Sequence, residues 1–348
     1  MKHQDSEERS RVMLIIGCDF HSRFQQIAML DTDTGEITER RLEHGSGEAR
    51  AFYVALPGPA RVGMEATGYA RWFERMLAQQ GHELWIGDAA EIRARMVRQQ
   101  KTDARDARHI LQLLAENRFP RIYVSKPEDR DIWQLLRHRD KLVHWQTSIR
   151  NQLHALAMGE GLCRKKRLWT QRGRQELQAL SLDSWATRRR NDLIEILDRL
   201  RPAIEELDQA VQQQAQQRPA AVLLMRQPGV GPVTSLAFTL MVGPVQRFAT
   251  SRELVSYVGL NPSEDSSGGR QRLGAISKQG NSMVRWLLLQ AAQTASRSDV
   301  ALRRHYQRLV VRRGRAIAKV AIARKLAVRL YWMLRQAAKP NAADSHAG

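Results

Sequence analysis

Residues 101 to 109 read Lys-Thr-Asp-Ala-Arg-Asp-Ala-Arg-His. Two carboxylates, Asp103 and Asp106, stand three apart at the head of an apolar-periodic stretch built from Ile110, Leu111, Leu113 and Leu114. In a helix, side chains at that spacing share a face, with Cβ atoms roughly 5–6 Å apart. Thr102 can cap such a helix, and acids in a first turn suit the helix dipole. Taken alone, the pair is ordinary helix-start chemistry. Two other acids change that reading. Residues 12 to 19, Val-Met-Leu-Ile-Ile-Gly-Cys-Asp, and residues 61 to 65, Arg-Val-Gly-Met-Glu, are apolar runs that end in Asp19 and Glu65. Such runs make buried strands, and in open α/β sheets sites gather at the carboxyl ends of strands. Four carboxylates together are a ligand set for Mg²⁺. Paired metals act on phosphodiesters by stabilising the attacking and leaving oxygens.

The elements that must position these acids follow from pattern. Strands are expected at 12–19, 24–30, 36–42, 61–65 and 83–86, with a turn at Asp31 to Gly35. Residues 47–56 and most of 88–117 read as helix, and Thr67-Gly68 opens another. Strands first, then strand–helix alternation, give an α/β domain over 11–122.

Composition names the partner class. The chain has 348 residues, 43% of them hydrophobic, and a formal charge of +20 from 56 Lys and Arg against 36 Asp and Glu. That excess calls for a polyanion, nucleic acid ahead of a membrane surface. No apolar run approaches the ~18 residues of a membrane span, and the charged N-terminus has no signal-peptide core. Cys18 and Cys163 lack metal-ligand spacing, so they read as reduced thiols of a cytoplasmic protein.

Residues 128–216 change character. Leu135, Leu142, Ile149 and Leu156 repeat every seven residues; Leu193, Leu197, Leu200, Ile204, Leu207 and Val211 alternate spacings of four and three. Both are heptad seams, the second interrupted by Pro202, which must kink or restart its helix. The segment between carries Arg164, Lys165, Lys166, Arg167, Arg172, Arg174 and Arg188 to Arg190. The expectation is a helical coiled-coil hairpin with a basic tip, either purely intramolecular or serving dimerisation and nucleic-acid contact.

Residues 217–337 form a third, mainly helical region. Gly229-Val-Gly231 lies between apolar helical segments and resembles a helix-hairpin-helix turn whose backbone N–H groups take a phosphate. Residues 262–281 have the composition of a flexible loop, yet Arg270, Arg272 and Lys278 flank the serine pair Ser266-Ser267. A hydroxyl beside such cations could attack a phosphodiester. Residues 282–337 hold thirteen Lys or Arg against the single acid Asp299, so a polyanion surface is expected there, with Arg303, Arg304, Arg312 and Arg313 among its contacts. At their helical spacing Trp286, Tyr306, Tyr331 and Trp332 are expected in the core. Residues 338–348 read as a disordered tail.

Taken in order, these motifs resemble the DEDD transposases of bridge-RNA-guided insertion sequences, relatives of the Piv-type DNA invertases. The residues that carry the resemblance are Gly17-Cys-Asp19, Gly63-Met-Glu65-Ala-Thr-Gly68, Lys101 to Arg108, Pro228-Gly-Val-Gly231, Tyr257 to Pro262, Ser267-Gly268 and Ser277 to Asn281. The resemblance implies a RuvC-like, RNase H-like N-terminal domain with Asp19, Glu65, Asp103 and Asp106 as Mg²⁺ ligands. It implies a serine nucleophile in the C-terminal transposase domain, at Ser267 by spacing from Pro262, with Ser266 one register away. It also implies donor and target DNA, a structured guide RNA, and a homodimer or tetramer that pairs acids and serine from different subunits. The expected activity is transposition or site-specific recombination, in the cytoplasm and at the nucleoid when DNA is bound. A RuvC-like nuclease or junction resolvase, needing only the acids and a water, is the competing chemistry. A non-enzymatic nucleic-acid-binding protein is the alternative outside catalysis.

Overall fold

The computed structural model describes residues 14–96, 102–164, 166–264 and 273–338. The chain forms two compact units that divide between Val124 and Ser125.

The first unit is a mixed α/β layer. Its strands are β1 (Leu14–Phe20), β2 (Phe24–Asp31), β3 (Ile37–Glu43), β4 (Ala60–Glu65) and β5 (Glu83–Gly87). They form one sheet in the order β3-β2-β1-β4-β5. β1 is central, antiparallel to β2 and parallel to β4, with Gly17 opposite Gly63 and Cys18 opposite Met64. Asp19 and Glu65 each lie one position beyond that last pair, so the ends of two neighbouring parallel strands carry the two acids. The helices are α1 (Glu48–Val54), α2 (Arg71–Gln79), α3 (Ala89–Ala94) and α4 (Asp103–Ala115). α2 starts at Arg71, later than the expected opening at Thr67-Gly68.

The two sheet faces bury different partners. Ile16, Cys18 and Phe20 pack with Tyr53 and Phe73 on one side. Ile15 faces the other way, toward Ala107, Leu111, Leu113 and Leu114 of α4. Alternation puts Gly17 and Asp19 on the α4 side as well. One buried polar network crosses the first core: Cys18 Sγ donates to Gln25 Oε1 at 3.6 Å, and Gln25 Nε2 donates to the Tyr53 hydroxyl at 3.1 Å. Both cysteines are free.

The second unit opens with two long helices, α5 (Pro127–Gly159) and α7 (Ser184–Gln216), joined through α6 (Gln171–Gln178). They run antiparallel, since Arg139 pairs with Asp208 at 2.7 Å while Arg189 bonds Gln152 at 3.2 Å. α7 is one helix through Pro202, not a restart. Near the tip, Ile149, Leu153, Ala157, Leu168, Leu177, Ile194 and Leu197 form a small core. At the open end, Trp133, Leu136, Val211 and Ala215 join the core of the helices that follow. These are α8 (Pro219–Met225), α9 (Pro232–Val242), α10 (Ser251–Val258), α11 (Ser282–Ser298) and α12 (Val300–Ala337).

Two local expectations change here, and one gains detail. Residues 262–281 are not wholly loop, because β6 (Pro262–Glu264) pairs antiparallel with β7 (Leu273–Ile276). The basic C-terminal stretch is two helices, capped where Asp299 accepts from Leu302 N at 2.8 Å; the second breaks at Gly314 (φ +82°). Of the four interleaved aromatics, Tyr331 is fully buried, whereas Trp286 and Trp332 are 44% and 52% exposed and so not core residues. No described helix is long and apolar enough to cross a membrane. The tail from 339 onward lies outside the described residues.

Candidate functional site

The site begins with a glycine. A Cβ on Gly17 would fall 2.2 Å from the Ala107 carbonyl oxygen and 2.4 Å from the Leu111 nitrogen. No side chain fits there, so α4 lies directly on β1 only because residue 17 has none. Gly63 does the same on β4, where a Cβ would meet the Leu114 side chain at 2.6 Å. Thr102 caps α4 as expected, its hydroxyl accepting from Arg105 N at 3.4 Å. Arg108 Nε reaches back to the Glu39 carboxylate on β3. The first turn of α4 is thereby fixed over the carboxyl end of β1.

Asp19, His21 and Asp103 meet there. His21 Nε2 lies 3.1 Å from Asp19 Oδ2 and 3.6 Å from Asp103 Oδ1. One atom from each of these residues falls within 4.8 Å of the others, a grouping that could hold a metal ion. Neither Asp106 nor Glu65 belongs to it. Asp106 still acts on the site: burial pushes the Asp19 carboxyl above its usual range, His21 pulls it back, and the charges of Asp106 and Asp103 push it up again. Asp106 Oδ1 is itself buried with no hydrogen-bond partner. Glu65 ends β4 with its carboxylate 3.8 Å from Arg93 Nη2.

These groups fit a divalent cation. The negative charge that Asp106 and Asp103 press on Asp19 is relieved by a cation, and the orphaned Asp106 oxygen is an unused acceptor. His21 was not singled out in the sequence. Its one signal is position, two residues past the acid that closes β1.

The other candidate residues divide sharply. Ser266, Ser267, Arg270 and Arg272 lie outside the described residues. Lys278 is exposed at positive φ (+57°), in a turn where Gly259 and Gly280 leave room for the opposing backbone. Gly229 has a packing reason of its own: a Cβ would meet the Ala291 oxygen of α11 at 2.5 Å. Gly231 is exposed and caps α9, but Pro232 then removes one of the helix-start N–H donors. Arg303, Arg304, Arg312 and Arg313 are all exposed, and none pairs with an acid among the described residues.

The hairpin tip is less free than its composition implies. Arg164 and Arg172 share Glu176, Arg174 pairs with Asp198, and Arg188 pairs with Asp192. Arg190 is buried and donates to the carbonyls of Leu177 and Leu180. Those arginines serve the hairpin first.

The described residues thus form an α/β unit with acids at adjacent strand ends and a second, basic helical unit. Residues 16–159 match the DEDD transposase family of IS110 elements, and residues 221–307 match the Transposase IS116/IS110/IS902 family. The chain belongs to this family of insertion-sequence transposases. It is 29% identical to a "Probable family 20 transposase" of Pseudomonas aeruginosa over 92% of this chain and 96% of that one. It is 28% identical to a transposase for insertion sequence element IS1111A of Coxiella burnetii, over 92% of this chain and 89% of the relative. A transposase for element IS1328 of Yersinia enterocolitica is 27% identical over 69% of this chain and 72% of its own.

Proposed function

We propose that this transposase cuts and rejoins DNA through Ser267, with Asp19, Glu65, Asp103 and Asp106 holding divalent cations, Mg²⁺ among them. The carrying observation is the seating of Asp103 beside Asp19, on the sheet face that Gly17 opens to α4. A cation held there supplies charge stabilisation at the phosphoryl oxygens. The family membership favours a RuvC-like reading of the five-stranded sheet.

The chemistry must conserve bond energy, since strands have to be rejoined. Ser267 Oγ attacks phosphorus, and the bond from phosphorus to a deoxyribose oxygen breaks. The serine gives up its proton, the departing oxygen gains one, and a phosphoserine link remains. Attack by a deoxyribose hydroxyl of another strand reverses the step, so no high-energy cofactor is consumed. Arg270, Arg272 and Lys278 are close enough in sequence to brace the same phosphate.

Duplex DNA is assigned to the exposed arginines of α12 and to the Gly229–Gly231 turn, the glycine turn being the weaker of the two given its packing against α11. The structured guide RNA and the dimer or tetramer rest on the resemblance of the ordered motifs alone, since seam residues of α5 and α7 such as Ile149, Leu197 and Val211 are buried within the chain itself. A DNA substrate in turn implies a cytoplasmic setting.

Trapping decides between recombinase and nuclease. Denaturing the reaction with labelled DNA should capture a covalent protein–DNA adduct, lost in Ser267→Ala and in EDTA. Metal-dependent cleavage that persists in both Ser267→Ala and Ser266→Ala, without adduct, would replace this reading with the water-driven nuclease.

A further inference from the structure

We propose that His21 is a metal ligand, and that with Asp19 and Asp103 it makes a mixed nitrogen–oxygen site that binds Mn²⁺ more tightly than Mg²⁺. This rests on the reading of the acids as a cation site and adds a residue and a preference to it.

The placement is specific. His21 opens the tight connection between β1 and β2, where its backbone N–H donates to the Phe24 carbonyl at 3.0 Å. Its ring stacks on Phe24, with centroids 4.6 Å apart and planes 25° apart. Arg41 covers Phe24 in turn, its guanidinium carbon 3.6 Å from the ring centroid. The imidazole is therefore braced, and its Nε2 is directed between two carboxylates on different elements. Nε2 lies within hydrogen-bonding distance of Asp19 Oδ2. In the Nδ1–H tautomer the Nε2 lone pair faces the space that both carboxylates border.

Ligand chemistry then sets the preference. Mg²⁺ favours an all-oxygen shell and keeps its waters. Imidazole nitrogen favours later divalent metals, and affinity at such sites rises from Mn²⁺ onward along the first-row series. The carboxylates alone still hold Mg²⁺. The nitrogen adds affinity for Mn²⁺ that it does not add for Mg²⁺.

The test uses the full-length, untagged protein, with Mn²⁺ and Mg²⁺ titrated separately by calorimetry, and pulsed EPR of the bound Mn²⁺. Wild type should bind Mn²⁺ the more tightly and show ¹⁴N coupling from imidazole. His21→Ala should weaken Mn²⁺ binding by about tenfold or more, in line with the loss of a supporting metal-site residue, and abolish the coupling. Mg²⁺ binding should change little, which also reports that the variant is folded. His21→Asn should behave like His21→Ala. Unchanged Mn²⁺ affinity, or ¹⁴N coupling that survives in His21→Ala, overturns the proposal. Asp19→Asn separates the two levels. If it binds both cations like wild type, or if wild type binds neither, the carboxylate site itself is wrong, and His21 falls with it.

Discussion

Gly17 and Ala107 are in such close approach that a methyl group on the first would overlap the carbonyl oxygen of the second, 2.2 Å away. Backbone cannot yield as a flexible side chain can. The distance between α4 and β1, and so between Asp103 and Asp19, is therefore set by the absence of one atom.

Gly17→Ala should destabilise the first unit by about 3 kcal/mol, at the upper end for overpacking because the clash is with backbone. Gly58→Ala, where a Cβ meets nothing within 4 Å, is the control and should be close to neutral. Urea unfolding measures both. A Gly17→Ala protein as stable as wild type would mean that α4 can move off the sheet, and the fixed spacing would be lost as an explanation of the site.

Asp19→Asn should stabilise the metal-free protein at neutral pH while cutting strand cleavage by about a hundredfold or more. The Asp19 carboxyl is raised from its ordinary 3.8 by burial and by the neighbouring acids. A raised carboxyl binds its proton more tightly in the folded state. Wild-type stability from this group is therefore intact below the ordinary value and falls as pH climbs through the raised one. The advantage of the asparagine variant in EDTA should appear across that window and vanish on its acid side. Thermal unfolding at pH 4 and pH 7 checks the sign; a variant less stable than wild type at pH 7 contradicts it.

Alanine at Arg303, Arg304, Arg312 and Arg313 together should weaken binding to duplex DNA whatever its sequence. If all four contact phosphates, the log–log salt slope becomes shallower by about 3–4. Fluorescence anisotropy at several salt concentrations reads this directly. An unchanged slope would assign these side chains to something other than DNA.

Asp299→Ala should cost about 1–2 kcal/mol, typical of a strong N-cap. Its carboxyl is held below the usual range by the Leu302 N–H and then by Arg329, 2.6 Å away. A depressed carboxyl contributes stability above its ordinary value and loses it as pH falls through the lowered one. The gap between variant and wild type should thus narrow in acid, as urea melts at pH 3 and pH 7 would reveal.

Mixing Asp103→Asn with Ser267→Ala asks whether acids and serine act from one chain. Neither variant should form adduct alone. Partial rescue in the mixture supports a site shared between chains, whereas two assembled but inactive variants that do not complement favour a site within one.

Much of the first unit's fold is legible in the sequence. The central strands β1 and β4 stand out as apolar runs ended by an acid, β3 (Ile-Thr-Glu-Arg-Arg-Leu-Glu) shows itself only by following a turn, and Thr102 marks its helix start. What the sequence hid lies in tertiary contact. His21 looks like any turn residue until α4 brings Asp103 to it. Leu135 reads as part of a hairpin seam, yet it packs against a core that holds Phe238 and Leu288, far along the chain. Pro262 to Ile276 has loop composition, but backbone pairing between β6 and β7 overrides it. Trp286 keeps a core-like spacing while standing 44% exposed, because periodicity marks a face and not what covers it.

The break at Gly314 leaves α12 with two populations of side chain. Leu302 anchors one end and Ala318 to Leu334 the other, while most residues between them are exposed, Val311 at 88%, with Tyr306 among the exceptions. Substitutions on such a surface usually move stability by no more than about 0.5 kcal/mol. The charge of this stretch can therefore drift over generations almost without structural penalty. If α12 carries DNA, as proposed, its hold on DNA can change there without disturbing the packed residues at either end of the helix.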